Sequence, residues 1–431
     1  MNILVAGAGH GGLVAAALLA RAGHSVTVYE RGERASLGHD WHDTMMPAAF
    51  DFCGIPRPAG LFTPYIKARH RNPAKTVTLV TDPAPVKNVS YVDRKALIAV
   101  LLRFAEENGA ALVFGTEVLS PVCDETGVKG ALVADKEGVK EIKADLVIDA
   151  AGIDSPLRRN LPQRFGVTRE IAARDTYFVR RAYYSAKEGR APFRPYTIWF
   201  FHSGAPGLDW LIRRENCADV LVGGIGGLEP AAADAAYRDL AAEYSFIGES
   251  IERGDTAIRH IPLRRTLGLF VADGYAAVGD AAAMTEPMNG SGITLSMKAG
   301  KILADTVIAG GEKGAAAENL WRYEYAYQKH LGEGFLTDDV LKGMLGSLTP
   351  ADIDYLFETG VLTAREMLKD RSPVGVSYVL NKTRVFGRPS LFPAICRAAV
   401  RLSKLSALKR DMPRFWDRAA VFAWADRYES L

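Results

Sequence analysis

Short apolar runs alternate with glycine-containing turns near the start of the chain, and this pattern predicts parallel strands joined by helices. The run Asn2 to Ala6 is typical of a buried strand, the Ala- and Leu-rich segment Leu13 to Arg21 of a helix, and Val26 to Tyr29 of a second strand. Asp145 to Gly152 repeats the apolar run and again ends in glycine. Together these segments predict an α/β core whose strands are buried on both faces.

Later patterns predict further sheets and helices. Asp93 is placed to cap a helix from Arg94 to Asn108, and alternating residues between Ala111 and Ala144 predict a β-meander. Residues 175–227 alternate as strands of another sheet. The remaining predicted elements are strands at Thr76 to Val80, Val86 to Tyr91 and Ala276 to Val278, and helices at Ala231 to Tyr244, Ile293 to Ile308, Leu336 to Leu345, Pro350 to Glu358, Ala364 to Lys369, Ala394 to Leu408 and Arg414 to Tyr428.

Three glycines follow the first predicted strand at the spacing of a dinucleotide-binding turn. Gly7 permits a tight turn, Gly9 lets the backbone approach a pyrophosphate, and Gly12 allows the helix to pack closely on the strand. Glu30 ends the second strand, where a carboxylate binds ribose hydroxyls, and Arg31 beside it is a further candidate for cofactor binding. A plain turn between strand and helix is the alternative, but the strand, helix and acidic residue at these positions favour a dinucleotide site.

Composition excludes some classes of protein and leaves others. The 431 residues are 48% hydrophobic and 24% charged, as in an ordinary globular protein, and a length prior predicts about two to three domains. With 53 Lys plus Arg against 50 Asp plus Glu, the net charge of +3 gives no footprint for nucleic acid. The four cysteines are far apart, which predicts free thiols and no metal site. No secretory signal or membrane span is evident, so a cytoplasmic protein is expected.

Two polar segments hold candidate site residues. Residues 31–43 are too polar and glycine-broken for a strand of the main sheet, and His39, Trp41, His42 and Asp43 either line a reactive ring or belong to a surface loop. Arg94, in the first turn of its helix, either contacts a bound anion or forms a surface salt bridge, because acids are favoured there.

After the segments at Gly7 to Gly12 and Asp145 to Gly152, a third glycine-containing segment is predicted to return the chain to the nucleotide. The strand at Ala276 to Val278 ends at a Gly-Asp pair, and a proline and two glycines precede the next helix, whose positive end points at the junction. Its candidate residues are Gly279, Asp280, Pro287, Gly290, Gly292 and Ile293.

Three separated segments, Gly7 to Glu30, Ala144 to Arg158 and Gly279 to Gly292, together resemble the flavoproteins of the para-hydroxybenzoate hydroxylase fold. The resemblance is to their geranylgeranyl reductase-like branch in particular. The stretch most similar to that branch is GDAAAMTEPMNGSGITLSMKAGKILADTV, and the resemblance covers residues 1–330. It implies bound FAD, with Glu30 on the adenosine ribose, Arg94 near the phosphates and Asp280 on the ribityl chain. It also implies that residues 290–293 stabilise negative charge on the flavin, which favours the reduced form.

The resemblance also implies the fold class. This is α/β (α+β two-domain), with a Rossmann-type FAD-binding domain that carries a β-meander, an inserted antiparallel-sheet substrate domain and a helical C-terminal region. The FAD-binding domain is expected to be discontinuous, at 1–75, 92–174 and 260–330. The substrate domain is expected at 76–91 and 175–259, and the C-terminal helical region at 331–431.

Three departures from the family pattern bear on the reaction. Ala151-Gly152 stands where hydroxylases carry Asp-Gly, and Ala283 stands where monooxygenases usually carry His, so both weaken a hydroxylase interpretation. The Tyr-x-Trp-x-Phe-Pro strand of the reductase branch survives only as Trp210.

We expect an FAD-dependent oxidoreductase that transfers hydride to or from a carbon–carbon bond of a hydrophobic small molecule or lipid. NAD(P)H or a reduced electron carrier is the expected transient donor. His42 and Glu286 are the candidate proton donors, because reduction of a double bond also needs a proton, and Trp210 is a candidate in the substrate site. A monooxygenase or halogenase and a flavin-bearing electron-transfer subunit are the alternatives. The oligomeric state is not predicted.

The C-terminal segment 397–418 is basic and carries interleaved aromatic and leucine residues. It predicts either peripheral contact with anionic lipid, at the inner face of a membrane, or a solvated basic face on a helix packed against its own domain or a dimer contact.

Overall fold

The computed structural model describes residues 1–64, 67–82, 88–187, 196–213, 217–251, 257–368 and 376–431. The strands are β1 (Asn2–Ala6), β2 (Ser25–Tyr29), β3 (His42–Met45), β4 (Phe62–Pro64), β5 (Ala68–Arg71), β6 (Thr78–Thr81), β7 (Ser90–Asp93), β8 (Ala111–Val113), β9 (Glu117–Asp124), β10 (Gly127–Asp135), β11 (Gly138–Lys143), β12 (Leu146–Asp149), β13 (Thr176–Ala186), β14 (Tyr196–Phe200), β15 (Leu208–Arg213), β16 (Cys217–Ile225), β17 (Ile247–Ile251), β18 (Arg259–Pro262), β19 (Val271–Ala272) and β20 (Tyr275–Ala277).

Helices cover much of the rest of the described chain. They are α1 (His10–Arg21), α2 (Ala48–Cys53), α3 (Arg94–Glu107), α4 (Pro156–Asn160), α5 (Pro230–Glu243), α6 (Ile293–Gly310), α7 (Ala317–His330), α8 (Phe335–Gly346), α9 (Pro350–Glu358), α10 (Ala364–Leu368), α11 (Val376–Thr383), α12 (Phe392–Arg410) and α13 (Arg418–Ser430).

The first sheet has the strand order β19-β20-β12-β1-β2-β8. Strand β1 lies between β12 and β2 and pairs with both in parallel, so that Ala6 is level with Asp149 on one side and Tyr29 on the other. Helix α1 packs against α3 and α6. The predicted strands and helix of the first thirty residues are confirmed. Because the carboxyl ends of parallel strands mark the ligand edge of such a sheet, the turn after β1 lies at that edge.

Two sequence predictions in this region are wrong in part. Ala111–Val113 joins the first sheet beside β2 instead of the meander, which consists of β9, β10 and β11. The reason is that α3 returns the chain for a parallel pairing with β2, as in other strand–helix–strand crossovers. His42–Met45, in and beyond the predicted loop, is strand β3 and pairs with β7. Polar residues suit this position because the strand is only half-buried.

The second sheet has the order β17-β13-β16-β15-β14-β5-β6, and β18 also pairs with β13. Helix α5 covers one face through Ala233, Tyr237 and Leu240, which pack with residues of β16. The predicted strand at Thr76 to Val80 is observed at Thr78–Thr81 in this sheet, whereas the segment Val86 to Tyr91 lies partly outside the described residues. The domain boundaries given above stay a prediction.

The C-terminal region is helical, as the sequence predicts. Its last helix begins at Arg418, four residues later than expected, because the Asp417 side chain accepts a hydrogen bond from the amide of Ala420 and caps the helix there. Leu405 and Leu408 of α12 are buried, and α12 packs on α8. Glu429 accepts from the guanidinium of Arg264, which joins the C-terminal helix to the segment after β18. No helix among the described residues is long and apolar enough to cross a membrane.

Candidate functional site

A cleft of about 990 Å³ is lined by residues of both large sheets and by the turns at the ligand edge of the first sheet. This volume lies at the upper end of the range for ligand pockets, ~300–1,000 Å³. Among the sequence-predicted site residues, those that line it are Gly7, Gly9, Glu30, Arg31, His39, Trp41, Asp43, Arg94, Trp210, Gly279, Asp280, Glu286, Gly290, Gly292 and Ile293. In the described part of the chain, Gly12, His42 and Pro287 are not on its wall.

The turn after β1 has the geometry that its glycines predict. Gly7 has φ of 91°, and a Cβ there would lie 2.7 Å from the carbonyl oxygen of Ala150. A Cβ at Gly12 would lie 2.6 Å from the Ala150 side chain, so Gly12 serves helix packing and is hidden from the cleft. Helix α1 begins at His10 without a side-chain cap. Apart from the amide of Gly11, which donates to Ser296 Oγ, its first amides are therefore available to an anion at the cleft.

Glu30 is held rigidly at the end of β2. One carboxylate oxygen accepts from the amide of Ala8 at 2.8 Å, and the other accepts from the amide of Gly32 at 2.8 Å. These bonds join β2 to the glycine turn and fix a carboxylate on the cleft wall. A carboxylate in this place suits a diol such as the ribose of a dinucleotide.

Arg94 lies at the meeting point of several candidate residues. Its guanidinium is 3.3 Å from Asp43 and lies over the ring of Trp41, 5.7 Å from the ring centroid. Burial raises the pKa of Asp280, and the charge of Arg94 opposes that shift. The buried Nε of Arg94 has no hydrogen-bond partner among the described residues. Arg94 is thus available to an anionic ligand in the cleft.

His10 is a cleft residue that the sequence analysis missed. Its Nε2 is buried and has no hydrogen-bond partner within the described chain. Burial, with the charges of Arg94 and His39, lowers the pKa of His10 to about 3. The pKa of His39 is lowered to about 4 by burial and by the charges of Arg94 and Arg259. A neutral histidine beside a cation and the free amides of α1 fits the oxygens of a diphosphate. The signal available in the sequence was its position, directly after Gly9.

The Gly-Asp turn is fixed to the glycine turn of β1. The amide of Gly11 donates to Ser296 Oγ of α6 at 3.0 Å, and a Cβ at Gly279 would lie 2.7 Å from the same oxygen. A Cβ added at Gly292 would lie 2.8 Å from Thr285 Cγ2. The crowding shows why small residues are needed here, since α1 and α6 converge on one point of the cleft.

The candidate proton donors occupy different places. Glu286 lines the cleft. Its carboxylate accepts a hydrogen bond from the side-chain Nδ2 of Asn289 at 2.8 Å, and its carbonyl oxygen accepts one from the backbone amide of Gly290. His42 is on β3, away from the cleft wall, with its Nε2 3.6 Å from Asp93. Of the two, only Glu286 faces the cleft.

The second sheet supplies the opposite wall of the cleft. Trp210 lines both the cleft and a smaller apolar chamber of about 70 Å³, as do Tyr177 and Asn289. The chamber is otherwise lined by Phe200, Phe201, Gly207, Leu208, Ile225, Leu263, Met288, Lys342, Leu345, Gly346, Ile353 and Leu362. Its wall combines strands of the second sheet with C-terminal helices. Apolar surface therefore extends from the cleft beyond Trp210.

Comparison with known proteins agrees with this geometry. The family described as "FAD binding domain" matches residues 1–207. A digeranylgeranylglycerophospholipid reductase of Methanoculleus marisnigri is 26% identical in an alignment of 388 residues that covers 87% of this chain and 93% of that protein. A geranylgeranyl bacteriochlorophyll reductase-like structure from Thermoplasma acidophilum has a TM-score of 0.74 at 18% identity and covers 92% of this chain and 98% of its own.

A halogenase shares the fold as well. The structure of the myxobacterial chondrochloren halogenase has a TM-score of 0.63 at 18% identity, covering all of this chain and 97% of its own. The residues of the cleft fit FAD: a glycine turn open to the diphosphate, a buried His10 Nε2 with no hydrogen-bond partner among the described residues, and the half-buried Arg94 beside it. The chain is an FAD-dependent oxidoreductase of the para-hydroxybenzoate hydroxylase fold, and it resembles the geranylgeranyl reductase-like branch of that fold.

Proposed function

We propose that the chain reduces carbon–carbon double bonds of an isoprenoid lipid or a similar long apolar molecule. The observation that carries this proposal is the apolar wall of the large cleft at Ile198, Trp210 and Leu221, beside which the small apolar chamber lies at Trp210. A relative that spans most of the chain is named for reduction of a geranylgeranyl lipid, which supports the same substrate class. The fold itself also serves a halogenase, so a reaction with oxygen is the alternative.

The two walls of the cleft have different roles in the proposed reaction. Bound FAD supplies the two-electron chemistry of hydride transfer. Arg94, Asp280 and the amides of α1 bind and orient the cofactor, and Ile198, Trp210 and Leu221 of the second sheet keep water from the face where an apolar chain lies. NAD(P)H or a reduced electron carrier is proposed as the electron source, and the rate of flavin bleaching with each donor under anaerobic conditions distinguishes them.

The test of the function is anaerobic. Chemically reduced holoenzyme is mixed with a polyprenyl lipid, and the product is analysed by mass spectrometry. Saturation adds two hydrogen atoms for each double bond reduced, with matching reoxidation of the flavin. Reoxidation only after admission of oxygen, together with a product that has gained oxygen or halogen, contradicts the reductase proposal and supports the alternative.

We propose Glu286 as the group that holds the proton for this reaction. Its carboxyl lines the cleft, whereas His42 lies off the wall and serves as the matched control. We expect Glu286→Gln to slow single-turnover reoxidation by lipid about 100-fold, within the range for general acids, and His42→Ala to leave it nearly unchanged. Both variants should retain FAD. An unaffected rate in Glu286→Gln means that the proton comes from water or another group.

Asp280→Asn should weaken FAD binding without unfolding the protein. The carboxylate is buried on the cleft wall next to the charge of Arg94, and the amide preserves its shape while removing its negative charge. Loss of a charged hydrogen bond is worth about 1.5–3 kcal/mol, so we expect the Kd for FAD to rise at least about ten-fold. Fluorescence titration of the apoprotein measures it. An unchanged Kd removes Asp280 from the cofactor site.

For segment 397–418 we propose peripheral contact with anionic lipid. Arg397, Lys404 and Val400 are exposed on α12, while Leu405 and Leu408 face the protein, so charge rather than the leucine face is available to a membrane. Flotation with vesicles that contain anionic lipid should recover the protein. The double substitution Arg397→Glu and Lys404→Glu should abolish recovery, and Arg103→Glu on α3 is the control. Equal recovery of all three proteins contradicts the proposal.

A further inference from the structure

One row of side chains crosses the second sheet and faces the cleft. The pairing registers place His70 beside Ile198, Ile198 beside Trp210, Trp210 beside Leu221, and Leu221 beside Arg181. All five line the cleft. The middle of the row is apolar, and Arg181 ends it on the side of Trp41 and Asp43. A molecule lying along this wall therefore meets hydrocarbon first and a guanidinium at one end.

Arg181 is anchored on one side only. Its Nε and Nη2 donate to the two carboxylate oxygens of Asp219 at 2.7 and 2.6 Å, and Nη2 also donates to the carbonyl oxygen of His42 at 2.7 Å. Nη1 is buried and makes no hydrogen bond within the described chain, although the Asp43 carboxylate is 3.6 Å away. The side chain is 1% exposed. A buried N–H group without an acceptor is costly, and such groups are rare in native proteins unless a ligand completes them.

The surroundings of Nη1 define the chemistry of that ligand. The rings of Trp41 and Trp210 lie 5.5 and 5.6 Å from the guanidinium and enclose it. Asp219 already neutralises Arg181, and Asp43 presents a second carboxylate near Nη1. Asp43 also lies 3.3 Å from Arg94, so the two carboxylates and the two guanidiniums balance one another. An anionic group entering here would add a negative charge with no free cation to pair with, whereas an uncharged oxygen can accept the hydrogen bond without that penalty.

We propose that Arg181 Nη1 binds an uncharged acceptor oxygen, a carbonyl or hydroxyl, at the polar end of an otherwise apolar substrate. This inference rests on the proposed function for its substrate class and deepens it. The oxygen fixes one end of the molecule beside Trp41, and the hydrocarbon runs along Leu221, Trp210 and Ile198. Arg181 is thus a specificity-determining residue. The sequence of the strand indicates this orientation, because alternate residues of a strand share a face and Arg181 alternates with the apolar residues Tyr177 and Val179.

The test uses ligand binding and no turnover. Oxidised holoenzyme is titrated with three probes of equal chain length, a polyprenyl hydrocarbon, its alcohol and its phosphate, and the change in flavin absorbance gives each Kd. We expect the alcohol to bind about ten-fold more tightly than the hydrocarbon, as one hydrogen bond to a charged group provides. Arg181→Lys, which keeps a cation beside Asp219, should remove that difference. Arg180→Lys, whose side chain pairs with Asp234 on the other face of the strand, should not.

A second variant is expected to raise the affinity for one of the probes. Asp43→Asn leaves the Arg181–Asp219 pair intact and removes the negative charge near Nη1, so the phosphate should gain affinity while the alcohol changes little. Thermal unfolding and FAD content confirm that each variant is folded.

Each other outcome overturns the inference. If the three probes bind equally, or if the phosphate binds most tightly through Arg181, no uncharged oxygen is selected there. If Arg181→Lys alters FAD affinity or the flavin midpoint potential while ligand discrimination persists, Nη1 belongs to the cofactor site. If none of the probes binds, the apolar substrate class of the proposed function fails as well, which separates that failure from the others.

Discussion

Gly9→Val is expected to yield a folded protein that purifies with less FAD than the wild type. The backbone at Gly9 has φ of −70°, which valine adopts readily, and the nearest atom to an added Cβ is the Ala150 carbonyl oxygen at 3.1 Å. The rest of the side chain would lie on the cleft wall at the start of α1, where a diphosphate approaches the free amides. Overpacking costs about 1–3 kcal/mol, so we expect affinity for FAD to fall about ten- to 100-fold.

The measurement is FAD content by absorbance after purification, followed by titration of the apoprotein. Gly227→Val is the control, because Gly227 has an unstrained backbone and no atom within 4 Å of an added Cβ. Gly7→Val is not a suitable variant, since a φ of 91° would strain the backbone and confuse folding with binding. Full FAD occupancy in Gly9→Val would show that the cofactor does not approach this turn.

The cofactor half of the site could be predicted from the sequence because its determinants are local. The strand, the glycine spacing and Glu30 fall within the first thirty residues, and the structure places them along one edge of β1 and β2. Gly12 faces the sheet, as its position in the glycine spacing predicts. His10 faces the cleft with a nitrogen that has no hydrogen-bond partner among the described residues. This second fact follows from the direction of α1, which the spacing alone does not give.

The substrate wall could not be predicted because it depends on pairing between distant strands. His70 and Arg181 are more than 100 residues apart in the sequence, yet one register row of the second sheet places both on the cleft. A shift of one residue in any strand would turn its side chain to the opposite face. Burial of His70 lowers its pKa to about 4, so that it is neutral near pH 7, and nothing in its local sequence indicates this.

Trp210 could be predicted from the sequence only in part. The sequence marked it by a partial motif, and the structure places it between the cleft and the apolar chamber, with Arg181 5.6 Å from its ring. Its neighbour Arg181 carries no motif. A single matching residue therefore located the wall, while the chemistry of the wall came only from the sheet register.

Arg158→Met is expected to destabilise the protein and to weaken FAD binding together. The buried guanidinium donates to the carbonyl oxygens of Arg169 at 3.0 Å, Ala281 at 2.7 Å and Ile153. Methionine fills much of the space but removes the donor from two buried carbonyl oxygens and one part-buried one, and an unsatisfied buried acceptor costs about 1–3 kcal/mol. We expect the free energy of unfolding to fall by about 3 kcal/mol or more. Because Ala281 follows Asp280, the same change should loosen the cofactor turn.

Arg159→Met is the matched control, since this neighbouring arginine is 42% exposed and pairs with Asp154 at 2.6 Å on the surface. A surface pair of this kind contributes at most about 1 kcal/mol. Urea unfolding of both apoproteins gives the stability. Unfolding with excess FAD reports the linkage, because a ligand stabilises the folded state by an amount that rises with the logarithm of its affinity. If Arg158→Met loses stability but regains as much from FAD as the wild type does, the guanidinium supports the fold without positioning Asp280. If it loses both, the turn at Gly279–Ala282 depends on a side chain anchored over 100 residues earlier.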